Sequence, residues 1–256
     1  MATRADWDPG QYTKFADERR RPFVELVALL QPVPGGRVAD LGCGPGSLTV
    51  ELHGALDAAE TVGVDNSSAM LAEAAGHAGN GVRFEHADLA TWDGDGTPWD
   101  AIVASASLHW LPDHEGVLAR WAEALSPTGQ LAVQVPSNPD HPSHVLIGEV
   151  ASDLGLDVPP DPLLNVLPVQ RYAEVLDELG FARQHVRLQV FGHRLPTAAD
   201  VVEWTKGTAL LRVRQAVPAE AYEALVDEYR RRLLAALGDR SPYFYAFKRI
   251  LFVAQR

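Results

Sequence analysis

The stretch Arg37-Val38-Ala39-Asp40-Leu41-Gly42-Cys43-Gly44-Pro45-Gly46 decides the fold. A short apolar run passes into three glycines at every second position. A helix-like run, Ser47-Leu48-Thr49-Val50-Glu51-Leu52, follows directly. This is the strand, glycine turn and helix of a nucleotide-binding βαβ unit, in which glycines let the backbone bend tightly and a ligand come close. The spacing is G-x-G-x-G, not the G-x-G-x-x-G of dinucleotide enzymes. Asp40 stands at the strand end, where a carboxylate repels a pyrophosphate and attracts a cation. The ligand expected at this turn is cationic and lacks phosphate.

Outward from this turn the pattern alternates. Strands are expected at 37–41, 61–65, 82–86, 100–104 and 130–135, and helices at 47–56, 67–76 and 114–124. Such alternation implies a parallel sheet with helices on both faces, with ligands beyond the carboxyl ends of the strands. Gly94-Asp95-Gly96-Thr97-Pro98 and Ser126-Pro127-Thr128-Gly129 read as turns. Residues 7–30 read as helical, with Pro22 starting a second helix. Beyond about residue 143 the pattern turns helical. Strands return near 185–191 and at 250–254, and the 197–237 segment between them reads as a helical insertion over the site mouth.

The 256 residues suffice for one α/β domain with a modest insertion. A net charge of −12 argues against a nucleic-acid partner, because phosphate binding needs a basic surface. It also means that an anionic substrate needs a locally positive pocket. Cys43 is the single cysteine, so no internal disulfide is possible, and it reads as a small buried thiol. No apolar run reaches membrane-spanning length and the N-terminus is no signal peptide, so the cytoplasm is the expected compartment; a monomer is expected separately. Arg230-Arg231-Arg232 reads as a solvated helix face. His141 and His144 flank a proline without a helical frame and read as no metal site.

The segment VADLGCGPGSLT, residues 38–49, resembles motif I of the class I S-adenosylmethionine-dependent methyltransferases. S-adenosylmethionine carries an ammonium, a sulfonium and no phosphate, as Asp40 requires. Four further segments are similar to trans-aconitate 2-methyltransferases: residues 7–30, VGVDNSSAMLAEA at 62–74, ASASLHWLPDH at 104–114 and LSPTGQLAVQVPSN at 125–138. The resemblance implies a Rossmann-like, mostly parallel seven-stranded sheet with the last strand antiparallel. It implies a single domain over 1–256: an N-terminal helical lid at 1–30, a donor-binding core at 37–140 and the 197–237 insertion over the acceptor site.

The donor site is assigned on this basis. Asp40 receives the methionyl ammonium, or else it caps the next turn. Gly42 and Gly44 cradle the ligand. Asp65 accepts the ribose hydroxyls, or else caps the helix opening at Ser67. Asn66 lines the adenine side. Asp88 accepts the adenine amino group, with the Leu89 amide on the ring, unless it is an ordinary loop residue. Ser105 and its small neighbours leave room for the sulfonium. Tyr12 and Phe15 close over the donor.

The acceptor implied is trans-aconitate or a related small polycarboxylate, methylated at a carboxylate oxygen. Carboxylates are already ionised at neutral pH, so no general base is expected and proximity dominates. The site should supply cations, of which arginine suits a carboxylate best. The candidates are Arg19, His109, Trp110, Arg212 and Arg249. His109 is equally well read as a structural histidine, and Trp110 as core. No metal is expected. The alternatives are a methyltransferase acting on another small molecule and a non-catalytic fold-mate that binds the nucleotide.

Overall fold

The computed structural model describes residues 16–256, with side chains from Arg20 onward. Helix α1 (Ala16–Val27) leads into β1 (Arg37–Leu41), α2 (Ser47–Leu56), β2 (Glu60–Asp65), α3 (Ser68–Ala74), β3 (Val82–His86) and β4 (Trp99–Ser105). Then come α4 (His114–Glu123), β5 (Leu125–Pro136), α5 (Pro142–Asp153), α6 (Val169–Glu178), β6 (Arg183–Leu195), α7 (Asp200–Lys206), α8 (Leu211–Ala216), α9 (Ala219–Leu237) and β7 (Tyr243–Gln255). The seven strands lie in the order β3-β2-β1-β4-β5-β7-β6. β1 to β5 pair in parallel, and β7 runs antiparallel to both β5 and β6. The order reverses between β1 and β4, so the crevice opens beyond the ends of those two strands.

Successive side chains on each strand point to opposite faces. Val38, Ala101, Val103, Ala132, Leu251 and Val253 pack on α1 and α2 through Phe23, Leu26, Leu52 and Leu56. Ala39, Leu41, Ile102, Ala104, Val133 and Phe252 pack on the other face, against Leu118 and Trp121 of α4 and Tyr172 and Leu176 of α6. The same alternation turns Asp40, Gln134 and Arg249 toward the face of Val38, Ala132 and Leu251. Three polar side chains thus share one side of the crevice by register alone.

A third core lies beyond the sheet. Leu195, Tyr243, Tyr245 and Phe247 pack there with Ile147 and Val150 of α5, Trp204 of α7 and Leu225 and Tyr229 of α9. β6 and β7 are therefore longer than the sequence patterning suggested. Only every second residue of the extension is buried, as in Tyr243, Tyr245 and Phe247, and those residues floor the insertion.

Three expectations need correction. Pro22 does not start a second helix but lies inside α1. A mid-helix proline removes one backbone hydrogen bond, at a cost of about 3 kcal/mol. Full burial of Phe23 and Leu26 offsets it at about 1.5–3 kcal/mol each. The Ser126-Pro127-Thr128-Gly129 turn, expected ahead of a strand at 130–135, falls inside β5 instead. Trp99 pairs with Leu125 and Ala101 with Gln130, so two steps along β4 match five along β5 and the segment loops out within the strand. His141 and Pro142 do have a helical frame. Pro142 opens α5, and the His141 side chain caps it by accepting the Ser143 amide at 3.1 Å.

Candidate active site

The glycine turn leaves β1 with Gly42 at φ 83°. Its amide and that of Cys43 both donate to Val64 O, at 2.7 and 3.1 Å, which folds the turn back over β2. A Cβ on Gly42 would lie 2.3 Å from Ser107 Cβ, so only glycine fits. Gly44, at φ 55°, has no atom within 4 Å of where its Cβ would stand. A side chain there would project into the cavity that Gly44 lines. The turn is a cradle kept open by the absence of side chains.

Two lobes open beyond the strand ends and share Gly42, Ser105, Ala106 and Trp110 as a common wall. The first is lined by Gly44, Asp65, Asn66, Asp88 and Leu89. Asp65 accepts the Gly44 amide on Oδ2 and the Ser67 amide on Oδ1, each at 2.9 Å. It therefore takes part in the turn before α3 and faces the cavity at once. Asp88 accepts the Ala90 amide on Oδ1 at 2.9 Å, and Asn66 O receives His86 Nε2 at 3.1 Å. This lobe offers two carboxylates and a glycine floor, a set suited to hydroxyl and amino donors rather than to phosphate.

The second lobe contains Asp40, His109, Gln134 and Arg249. Asp40 is buried and accepts Thr49 Oγ1 at 2.7 Å. Burial pushes its carboxyl up to about 6, the Thr49 hydrogen bond pulls the other way, and the charge of Asp65 adds to the rise. A cation arriving here would restore the charged form. Arg249 Nη1 donates to Gln134 Oε1 at 3.0 Å, and the guanidinium lies 4.9 Å from the Phe247 ring centre. Burial, helped by the nearby charges of Arg249 and His114, pushes His109 down to about 3, so its ring is neutral. Cys43 lines this lobe with its thiol pushed far up by burial, as suits an inert packing residue.

Ala106 sits on the shared wall at φ 58°, uncommon for a residue with a side chain. Its amide donates to Gln134 O at 2.9 Å, and Gln134 Nε2 donates to Ser105 Oγ at 3.1 Å. The junction of the lobes is thus fixed from both sides by β5.

Arg212 stands apart from Arg249. It lines the Asp65 lobe, is buried, and donates to Pro159 O through Nη1. Tyr12 and Phe15 lie outside the described residues. The backbone of Arg19 falls in α1, and its side chain lies outside the description. Sequence reasoning missed Gln134, His144, Asp161 and Arg20, all lining the Arg249 lobe. Pro142 at the head of α5 was the one available signal for His144; the pairing with Asp161 is tertiary. Among the described residues no group of three or more His, Cys, Asp or Glu side chains could hold a metal ion. No helix among them is long and apolar enough to cross a membrane.

A methyltransferase-domain family matches residues 38–129. Trans-aconitate 2-methyltransferases of Deinococcus radiodurans and Streptomyces avermitilis are 39% and 40% identical to the chain. Each comparison covers 98% of this chain, and 98% and 97% of those relatives. That of an Escherichia coli O157:H7 strain is 35% identical over 98% of this chain and 99% of its own. In fold, the chain is similar to the Bacillus subtilis protein YcgJ, with a TM-score of 0.61, 15% identity and coverage of 93% and 98%. It is also similar to a Haemonchus contortus phosphoethanolamine N-methyltransferase solved with S-adenosylhomocysteine, with a TM-score of 0.56, 16% identity and coverage of 92% and 52%.

The reversed strand order, the open glycine cradle and an acidic residue at the end of each of the first two strands define a class I S-adenosylmethionine-dependent methyltransferase. Within that class, the chain belongs to the trans-aconitate 2-methyltransferase family.

Proposed function

We propose that the protein transfers the methyl group of S-adenosylmethionine to a carboxylate oxygen of trans-aconitate, giving a monomethyl ester and S-adenosylhomocysteine. The observation that carries this reading is the shared wall of Gly42, Ser105, Ala106 and Trp110. It separates a lobe with the chemistry of an adenosine site from one that holds Arg249. The donor and an anion can then meet across it. The full-length similarity to trans-aconitate 2-methyltransferases supports the choice of acceptor.

In this reading Asp65 takes the ribose hydroxyls, with Asn66, Asp88 and the Leu89 amide around the adenine. Asp40 takes the methionyl ammonium. When bound, S-adenosylmethionine supplies an electrophilic methyl group on a sulfonium. Arg249, steered by Gln134, holds the acceptor carboxylate so that one oxygen faces the shared wall, and His109 offers a neutral ring beside it. No side chain needs to remove a proton, because the nucleophile is already an anion. Trp110, Leu163 and Phe247 keep the lobe poor in water, which favours a reaction that consumes opposite charges. The 197–237 segment covers the mouth, and Arg212 steadies it against Pro159. In the same reading Tyr12 and Phe15 serve the donor and Arg19 the acceptor; removal of residues 1–20 should weaken donor binding, and unchanged donor affinity would remove Tyr12 and Phe15 from the site. We place the enzyme in the cytoplasm, acting as a monomer.

The test is a transfer assay with product mass across trans-aconitate, cis-aconitate, citrate, isocitrate and neutral acceptors. A trans-aconitate product heavier by one CH2 unit is expected. Transfer to neutral acceptors only would assign another substrate class. Donor binding without any transfer would assign a non-catalytic protein.

A further inference from the structure

One buried hydrogen-bonded pair in the Arg249 lobe takes no part in the chemistry above. His144, in the first turn of α5, is 8% exposed, and its Nδ1 lies 2.8 Å from Asp161 Oδ2. Asp161 is anchored independently, because its Oδ1 accepts the Leu163 amide at 2.9 Å at the head of the 3-10 turn Pro162–Asn165. Both side chains line the lobe that Arg249 enters from β7.

A carboxylate in the wall of an anion site is unfavourable unless a cation offsets it. Burial alone would raise the Asp161 carboxyl. The hydrogen bond and charge of His144, the Leu163 amide and the charge of Arg212 together hold it below its usual range, so it is ionised. With Nδ1 committed to Asp161, Nε2 is the polar atom the His144 ring has left for a ligand.

We propose that His144, oriented by Asp161, is a second carboxylate-recognition point that restricts the enzyme to acceptors carrying at least two carboxylates. Arg249 and Gln134 hold one carboxylate from the sheet, and His144 Nε2–H holds another from α5. Asp161 is the positioning residue. The inference rests on the carboxyl-methylation reading. A ring that donates from both nitrogens carries a proton, and binding of the second carboxylate draws that proton from solvent wherever the ring was neutral. His141 at the head of α5, His109 after β4, Arg249 on β7 and Arg212 on α8 are the titratable and charged groups around the pair. Burial holds His141 and His109 neutral, at about 4 and 3.

The test is calorimetry on protein saturated with S-adenosylhomocysteine, in two buffers of different protonation enthalpy, at about pH 7.5 where a free imidazole is mostly neutral. The ligands are trans-aconitate and an unsaturated monocarboxylate. Trans-aconitate should bind the wild-type protein with proton uptake. His144→Asn keeps a donor to Asp161 but lacks Nε2. It should lose roughly tenfold or more in trans-aconitate affinity, together with the proton uptake. Its affinity for the monocarboxylate and for S-adenosylhomocysteine should be unchanged. Asp161→Asn should reduce the proton uptake in the same way, and serves if the first variant fails to fold. Equal trans-aconitate affinity and proton uptake in wild type and variants overturns the inference and leaves the functional reading standing. So does an equal loss for both ligands, which marks a merely structural pair. Wild-type protein that binds no carboxylate overturns the functional reading, and this inference with it.

Discussion

The Gly44 amide donates a 2.9 Å hydrogen bond to Asp65 Oδ2, tying the glycine turn after β1 to the end of β2. The second carboxylate oxygen receives the Ser67 amide, also at 2.9 Å. Asp65 therefore shapes the cradle from inside while presenting its remaining lone pairs to the cavity. Asp65→Ala should weaken S-adenosylmethionine binding by about 1.5–3 kcal/mol, the worth of hydrogen bonds to a charged group. Asp65→Asn should lose less, because one oxygen survives. Calorimetry on both variants measures this, and wild-type affinity in Asp65→Ala would remove the residue from the donor site.

Asp40 sets function against stability. Its folded carboxyl, at about 6, lies above the ordinary 3.8. The folded protein therefore keeps a proton that the unfolded chain has released. The associated stability is fully present below about pH 4 and is lost as pH rises through about 6. Asp40→Asn removes a cost on the order of a few kcal/mol at neutral pH. The ligand-free variant should melt higher than wild type at alkaline pH, yet bind the donor poorly. Wild-type donor affinity should also fall as pH drops below about 6, because the ammonium needs the ionised form. Thermal melts and donor titrations across pH check both halves; a variant that melts lower and binds normally would contradict them.

Arg249 enters the cavity beside Gln134, 3.0 Å from its amide oxygen. Arg249→Lys keeps the charge but not the planar fork. Acceptor kcat/KM should fall roughly tenfold or more, the worth of a charge-assisted hydrogen bond, with S-adenosylhomocysteine affinity unchanged. Steady-state kinetics with the acceptor varied provides the measurement. An unaltered kcat/KM would place the acceptor elsewhere.

Three buried histidines and the half-buried His141 set the acid limit. Burial is the leading cause in each case, pushing His109 to about 3 and His114, His141 and His193 to about 4. These folded values lie below the ordinary 6.5, so the unfolded chain binds more protons between about pH 4 and 6.5. Stability is full above 6.5 and is lost as pH falls through that window. Asp40 works in the opposite direction with a single proton, which four imidazoles outweigh. The free energy of unfolding should drop by on the order of several kcal/mol between neutral pH and about pH 5. Urea midpoints at the two pH values measure it; equal midpoints would mean that these rings titrate normally.

The parallel core was legible because each of its strands is a short apolar run ended by a turn signal. The carboxylates proposed for the donor, Asp40 and Asp65, were legible for the same reason: they stand at strand ends, where period and turn coincide. On the side proposed for the acceptor, His109, Trp110 and Arg249 were named from sequence, but the partners that position them were not. Pro22 reads as a boundary on local rules, and only the burial of Phe23 and Leu26 keeps α1 continuous across it.

By itself, the sequence determined the βαβ order, the glycine turn and the acidic residues at the ends of the first two strands, because these depend on neighbours within a few residues. Only the tertiary structure decided the Arg249 lobe. Gln134 and Arg249 come together through antiparallel register, 115 residues apart. His144 meets Asp161 where α5 packs beside a 3-10 turn, 17 residues on. Arg212 falls in the other lobe because α8 runs back over Pro159. Pairings of this kind rest on packing between distant elements, and no local pattern of residues encodes them.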